Sequence, residues 1–240
     1  MSNAKTQKLD AYRGPLSASE IAAGINLANA NAWRLFEDAS TLLELGRFPT
    51  AASLAALSIE ESGKVSILRT LALAKTKEDV SIGWKSYRSH TKKNVKWTLP
   101  DLARSGARTL EDLRPLFDEA SDHPYVLDQV KQLGFYSDCL GNRNWADPAY
   151  VIDEATSRTL VNTAKLLAGK SEVTCREIEL WIEHIGGASL DDFEAGKKAL
   201  VAWYAAMQAE GLKEEGMNMM EQFVNNGIQL PQASKTVSAI

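Results

Sequence analysis

Ser53-Leu-Ala-Ala-Leu-Ser-Ile-Glu-Glu-Ser-Gly-Lys64 is the stretch on which the fold turns. Extended on both sides, it carries two apolar stripes at helical spacing. One reads Leu54, Leu57, Glu61, Lys64, Leu68 and Leu71; the other reads Ala52, Ala56, Ile59, Gly63 and Ile67. Two stripes call for a central helix packed on two sides. The small residues Ala51, Ala52, Ala55, Ala56, Ser58, Ser62 and Gly63 let neighbours come close. Pro49 suits the first turn, and the pattern predicts a helix from 49 to about 75. Glu61 and Lys64 place charge inside the first stripe, three residues apart, and Glu60 stands four before Lys64. An ion pair in that seam would set bundle register. Removing either member of a buried pair costs about 1–4 kcal/mol.

Working outward, Ser17-Ala-Ser-Glu20 reads as a capping box. Ile21, Ile25, Ala28, Ala32, Leu35, Ala39 and Leu42 then mark one face of a first helix that ends near Gly46. A third helix is expected from Glu78 to Trp97, stopped by Pro100. A less regular stretch follows to Ala120, then a short helix over 126–133. Gly134–Pro148 mixes turn formers with aromatics and predicts an ordered loop or small hairpin. Further helices are expected over 153–168, after the capping box Thr174-Cys-Arg-Glu177, after Ser189, and over 213–226. The fold class is all-α: an antiparallel bundle over 17–170, C-terminal helices over 171–226 and a loose tail over 227–240.

The 240 residues suffice for a core without disulfides or structural metal. Apolar residues make up 45% and charged residues 24%, a globular composition. Net charge is −4, which excludes a uniformly basic nucleic-acid coat but leaves room for a local basic site. Cys139 and Cys175 do not make a disulfide framework. No apolar run reaches the length of about eighteen residues that a membrane helix needs. The polar N-terminus, Ser2-Asn3-Ala4 included, lacks a signal-peptide core, so the expected compartment is the cytoplasm, with no membrane partner.

No Gly-rich phosphate loop, Glu-x-x-His pair, zinc-ribbon cysteine spacing or nucleophile elbow occurs, so no cofactor and no metal is expected. The candidate site is the basic segment from Lys85 to Lys96, with five basic residues and no acidic one. His90 lies within it, Lys85 five positions before and Arg88 two before. Cations hold phosphate, and histidine moves protons near neutral pH. With Lys64 adding charge and a glutamate such as Glu61 orienting it or His90, the set suits metal-independent RNA cleavage. The plainer reading is a solvated basic helix whose histidine packs on Trp84 or Tyr87. Arg143 is expected to stack on Trp145 and His184 to meet a helix dipole, and His123, before Pro124 in a connection, carries no signal of a partner.

Ala28 to Asp38, Leu43-Glu-Leu-Gly-Arg-Phe48 and Ser53 to Lys64 resemble the AbiV family of abortive-infection proteins. Trp84-Lys85, Ser89-His-Thr-Lys92, Phe135-Tyr-Ser-Asp138 and Trp145-Ala-Asp-Pro148 follow in the family's order, over about residues 18–170. The resemblance implies a HEPN-type bundle and an antiviral effector, many HEPN proteins being metal-independent RNases. In place of the group's arginine upstream of the histidine, this chain has Lys85, with four residues before His90. The expectation is a homodimer acting on RNA or the translation machinery, with His90 carrying the proton and Lys85, Arg88 and Lys64 on the phosphate. The alternative is a non-enzymatic bundle that binds a phage or host protein, and a third reading is a plain sensor of a nucleotide.

Overall fold

Capping chemistry sets where the chain starts to coil. The computed structural model describes residues 10–118, 120–188 and 192–227. Ser17 accepts the Glu20 backbone N–H, and the Glu20 carboxylate accepts the Ser17 N–H at 2.8 Å, so α1 runs Ala18–Glu44. Gly46, at φ 69°, turns the chain, and α2 runs Phe48–Ala72 with Pro49 in its first turn. Phe36 and Ala39 meet Ala52 to Ile59, whereas Ile21 and Ile25 meet Leu68 and Leu71. The two helices are therefore antiparallel.

Short side chains make α2 the centre of the molecule. Ala51, Ala52, Ala55 and Ala56 are fully buried. Their size brings backbones within reach of buried hydroxyls. Ser58 Oγ donates to the Ala32 carbonyl at 2.7 Å, Ser53 Oγ to that of Lys131 at 2.9 Å, and Ser157 Oγ to that of Phe48 at 2.6 Å. Each hydroxyl is thus satisfied without water.

The expected third helix divides. α3 spans Lys77–Arg88 and α4 spans His90–Lys93. Between them Ser89 is extended (ψ 127°), and its hydroxyl accepts the Lys92 N–H. A serine that caps a new turn competes with continuing the old one. Pro100 does not end a helix; it lies in the first turn of α5, Leu99–Arg104. After a 3-10 turn at 114–117 comes α6, His123–Phe135. The hairpin forms as β1, Asp138–Leu140, antiparallel to β2, Asn144–Ala146. Then follow α7, Pro148–Val151, α8, Glu154–Leu167, and α9, Cys175–Ile185, opened by its capping box. The expected start at Ser189 lies outside the described residues; Asp192 caps α10, Phe193–Ala209. α11 is shorter than expected, Met219–Asn226. The tail, from 228 on, also lies outside the described residues.

The fold is thus the all-α bundle that the periodicities predict, with one small hairpin. α6 and α8 flank the N-terminal half of α2 around Leu127, Leu160 and Ala164. Val173 and Ile178 join Ile21, Leu68 and Trp84, so α9 shares a core with α1, α2 and α3. On its other side α9 packs on α10 through Leu180, Trp203 and Met207. Among the described residues no helix is long and apolar enough to cross a membrane.

Candidate functional site

Two glycine contacts bring three helices together. At Gly63 a Cβ would lie 2.0 Å from the Lys93 carbonyl oxygen, so α4 rests on the bare backbone of α2. Glu60 lies three residues earlier on α2, under His90 and Lys93. At Gly134 a Cβ would lie 2.2 Å from Ser53 Oγ and 2.6 Å from the Pro49 carbonyl oxygen. α6 therefore sits equally close on α2, and it carries Asp128 and Lys131 to the same carboxylate.

Glu60 is the hub. Its Oε2 faces His90 Nδ1 at 2.8 Å and Lys93 Nζ at 3.4 Å; its Oε1 accepts from Lys131 Nζ at 2.6 Å. Lys131 also donates to Asp128 at 2.6 Å and lies 3.4 Å from His90 Nδ1. The Glu60, Lys93 and Lys131 side chains are 3%, 8% and 5% exposed, whereas that of His90 is 58% exposed. The charges are buried and the imidazole is at the surface.

Taking such charges out of water is tolerable only because each has partners. Burial works against the Lys131 ammonium, but its hydrogen bonds to the Asp128 and Glu60 carboxylates outweigh it and hold its pKa above the usual lysine range. A pKa raised on folding contributes stability that is complete below the unfolded value, about 10.4, and is lost as pH rises through the folded one. Denaturant melts from pH 9 to 12 should show this alkaline loss, and Lys131→Met should reduce it.

An ionised carboxylate only accepts hydrogen bonds. We therefore assign the proton of the neutral ring to His90 Nδ1, facing Glu60, which leaves Nε2 as the basic nitrogen. Glu60, His90 and Asp128 also bring three possible metal donors within 4.8 Å of one another. The Lys131 ammonium already stands 2.6 Å from both carboxylates, in the place a cation would take.

Of the residues expected in the site, only His90 joins this cluster. Glu61 and Lys64 do pair, at 2.6 Å and half-buried, but with each other. Lys64 also lies 5.1 Å from the Tyr87 ring centroid. Arg88 covers the Trp84 ring at 5.1 Å and bonds the carbonyls of Trp84 and Tyr12. Lys85 is exposed. Among the described residues no hydrogen bond or ion pair links His90 to Lys85, Arg88, Lys64 or Glu61. Glu61 and Lys64 hold each other on α2, and the break at Ser89 sets His90 on a separate helix from Lys85 and Arg88.

The basic segment is also not one solvated face. Lys93 turns in to Glu60, and Lys96 is half-buried. His123 does have partners: Ser121 Oγ at 2.7 Å and the Val95 carbonyl at 3.1 Å, which pin the segment after α4. Arg143 occupies the hairpin turn at φ 66° and is absent from the cation–ring pairs of the described residues. His184 does lie in the last turn of α9. Sequence reasoning missed Glu60 as hub, and it missed Lys93, Asp128 and Lys131. The one legible signal was Asp128 three residues before Lys131, a helical pairing distance.

A family model for AbiV, of the HEPN type, matches residues 20–169, which takes in α1 to α8 and every member of the Glu60 cluster. No curated protein and no solved structure matches the chain. With more than half of its length matched, and with the all-α bundle that the match implies, the chain belongs to the AbiV family.

Proposed function

We propose that the protein is an abortive-infection effector that cleaves RNA without a metal ion, using His90. Its family points to the anti-phage role. The chemistry rests on one observation: an exposed imidazole whose Nδ1 is held at 2.8 Å by a buried carboxylate. Such a partner orients the ring, fixes its tautomer and stabilises the imidazolium formed on proton uptake. In the reaction, Nε2 takes the proton of a ribose 2′-hydroxyl, and the 2′-oxygen attacks phosphorus. The bond to the 5′-oxygen breaks, and an acid protonates that oxygen. The products are a 2′,3′-cyclic phosphate and a 5′-hydroxyl end.

Base and acid must stand on opposite sides of the phosphate. A two-fold homodimer presents a second copy of every residue across its axis, so a pair of His90 rings would supply both. We place the exposed Lys85 on the phosphate, since Lys93 and Lys131 serve Glu60 and Arg88 is held on Trp84.

A second reading has its own support. Tyr136, Leu140, Trp145, Tyr150 and Val151 are all exposed, Trp145 at 77% and Tyr150 at 90%. They lie on the hairpin and the chain flanking it, with Leu140 and Trp145 on opposite faces, where a phage or host protein would find exposed apolar side chains. One experiment separates the two. His90→Ala removes a mostly exposed side chain, so the variant should keep the parent's melting temperature and oligomeric state. Its cleavage of RNA in the presence of EDTA should fall by roughly 10²–10⁴-fold, with growth arrest lost in parallel. Full arrest by His90→Ala, together with loss of arrest in Trp145→Ser, would replace the RNase reading with the interaction reading.

A further inference from the structure

A cavity of about 330 Å³ opens between α2, the α8–α9 connection and the C-terminal helices. No residue of the Glu60 cluster lines it. Its wall includes four cationic side chains, Arg69, Lys96, Lys170 and Lys213, against the two carboxylates of Glu172 and Glu177. In a chain of net charge −4, that is a local excess of positive charge.

Most of those charges are occupied. Glu177 accepts from Lys213 Nζ at 3.0 Å and from the Thr174 N–H at 2.9 Å. Lys170 lies over the Trp33 ring, 3.6 Å from its centroid. Arg69 and Lys96 are different. The Arg69 guanidinium is 5.4 and 5.3 Å from the ring centroids of Trp181 and Trp203, two indoles in T-shaped contact. Its Nε is buried with no hydrogen-bond partner. The Lys96 ammonium has no hydrogen bond or ion pair among the described residues.

Burial pushes both groups below their ordinary pKa ranges; the Glu177 carboxylate offsets part of this at Arg69, whereas the Arg69 charge pushes Lys96 further down. Two desolvated cations that repel each other cost folding energy. An anion between them would remove that cost.

We propose that this cavity binds a small phosphate ester, its phosphoryl group on Arg69 and Lys96 and its organic body against the Trp203 side of the wall. The guanidinium supplies a planar fork and the ammonium a point charge, the pair of donors that suits a phosphate dianion. The indoles hold the fork in place before the ligand arrives, so little entropy is lost on binding. The volume lies at the lower end of small-molecule sites, roughly 300–1,000 Å³. It takes a ligand of nucleoside-monophosphate size. The bound ester would tie α2 to the C-terminal helices, because Arg69 and Lys96 come from the bundle and Trp203 from α10. This inference does not depend on the role of His90.

The test uses the purified full chain and thermal melts with adenosine 5′-monophosphate, adenosine and inorganic phosphate, each titrated separately. The monophosphate should raise the melting temperature saturably, inorganic phosphate should do so at higher concentration, and adenosine should do nothing. Lys96→Met keeps the apolar stem and removes the charge. It should raise the melting temperature of the ligand-free protein and weaken monophosphate binding at least about tenfold, more than 1.4 kcal/mol. Arg69→Lys, which keeps charge without the fork, should also weaken binding. No shift with monophosphate or phosphate at millimolar concentration would overturn the proposal. So would equal binding by Lys96→Met, or a ligand-free Lys96→Met protein that melts lower than the parent.

Discussion

Glu60→Ala is expected to destabilise the bundle by about 3–5 kcal/mol, because it leaves two buried ammonium groups without their shared carboxylate. Glu60 is the point where Lys93 of α4 and Lys131 of α6 meet on α2. Its neighbour Glu61 offers the natural control. Glu61→Ala breaks a half-buried pair within one helix, and its cost should stay below about 1 kcal/mol. Urea melts at neutral pH measure both. A further variant separates stability from chemistry. Replacing Glu60, Lys93 and Lys131 together by Leu, Met and Met should recover most of the loss, since apolar packing often matches a buried ionic cluster. That protein should be folded yet lack the carboxylate that orients His90, and its RNA cleavage should fall as in His90→Ala. A Glu60→Ala protein as stable as the parent would mean that water reaches the cluster.

Gly63→Ala should be the second most damaging change, although alanine ordinarily favours a helix over glycine by about 1 kcal/mol. The added Cβ would meet the Lys93 carbonyl oxygen at 2.0 Å, and its carbon and Cα at 2.8 and 2.9 Å. These are backbone atoms, so no rotamer change relieves the clash. Either α4 lifts off α2 or α2 bends. A net loss of about 1–3 kcal/mol is expected, with separation of His90 from Glu60 as its structural result. Gly196→Ala is the contrast. That glycine lies inside α10 with nothing within 4 Å of the added atom, and the change should stabilise by roughly 0.5–1 kcal/mol. Thermal melts rank the three proteins, and the His90 imidazole proton and nitrogen shifts report whether the ring has left Glu60. If Gly63→Ala melts above the parent with those shifts unchanged, the close approach of α4 is not what builds the site.

What the sequence by itself determined is what local chemistry determines. The capping boxes at Ser17 and Thr174 lie within four residues of chain, and both form. The alanine and serine run of α2 announces a helix with close neighbours on two sides, because that follows from side-chain size and helical period alone. The hairpin after α6 was legible from its turn formers for the same reason. The break at Ser89 is also local, and a serine three residues before Lys92 was its signal, but the surrounding helical pattern outweighed it. Only tertiary structure decided which acid matters. Glu60 and Glu61 are adjacent, about 100° apart around α2; Glu60 stands one turn before Gly63, but nothing in the sequence says that α4 and α6 will close on that face. That choice follows from where Gly63 and Gly134 let those helices rest, and it brings Lys131 to Glu60 across 71 residues of chain. The same holds for Arg69 and Lys96. They look like surface charges in the sequence and become half-buried cations on one cavity wall only once α9 and α10 have closed over α2, since burial belongs to the packed assembly and to no segment of it.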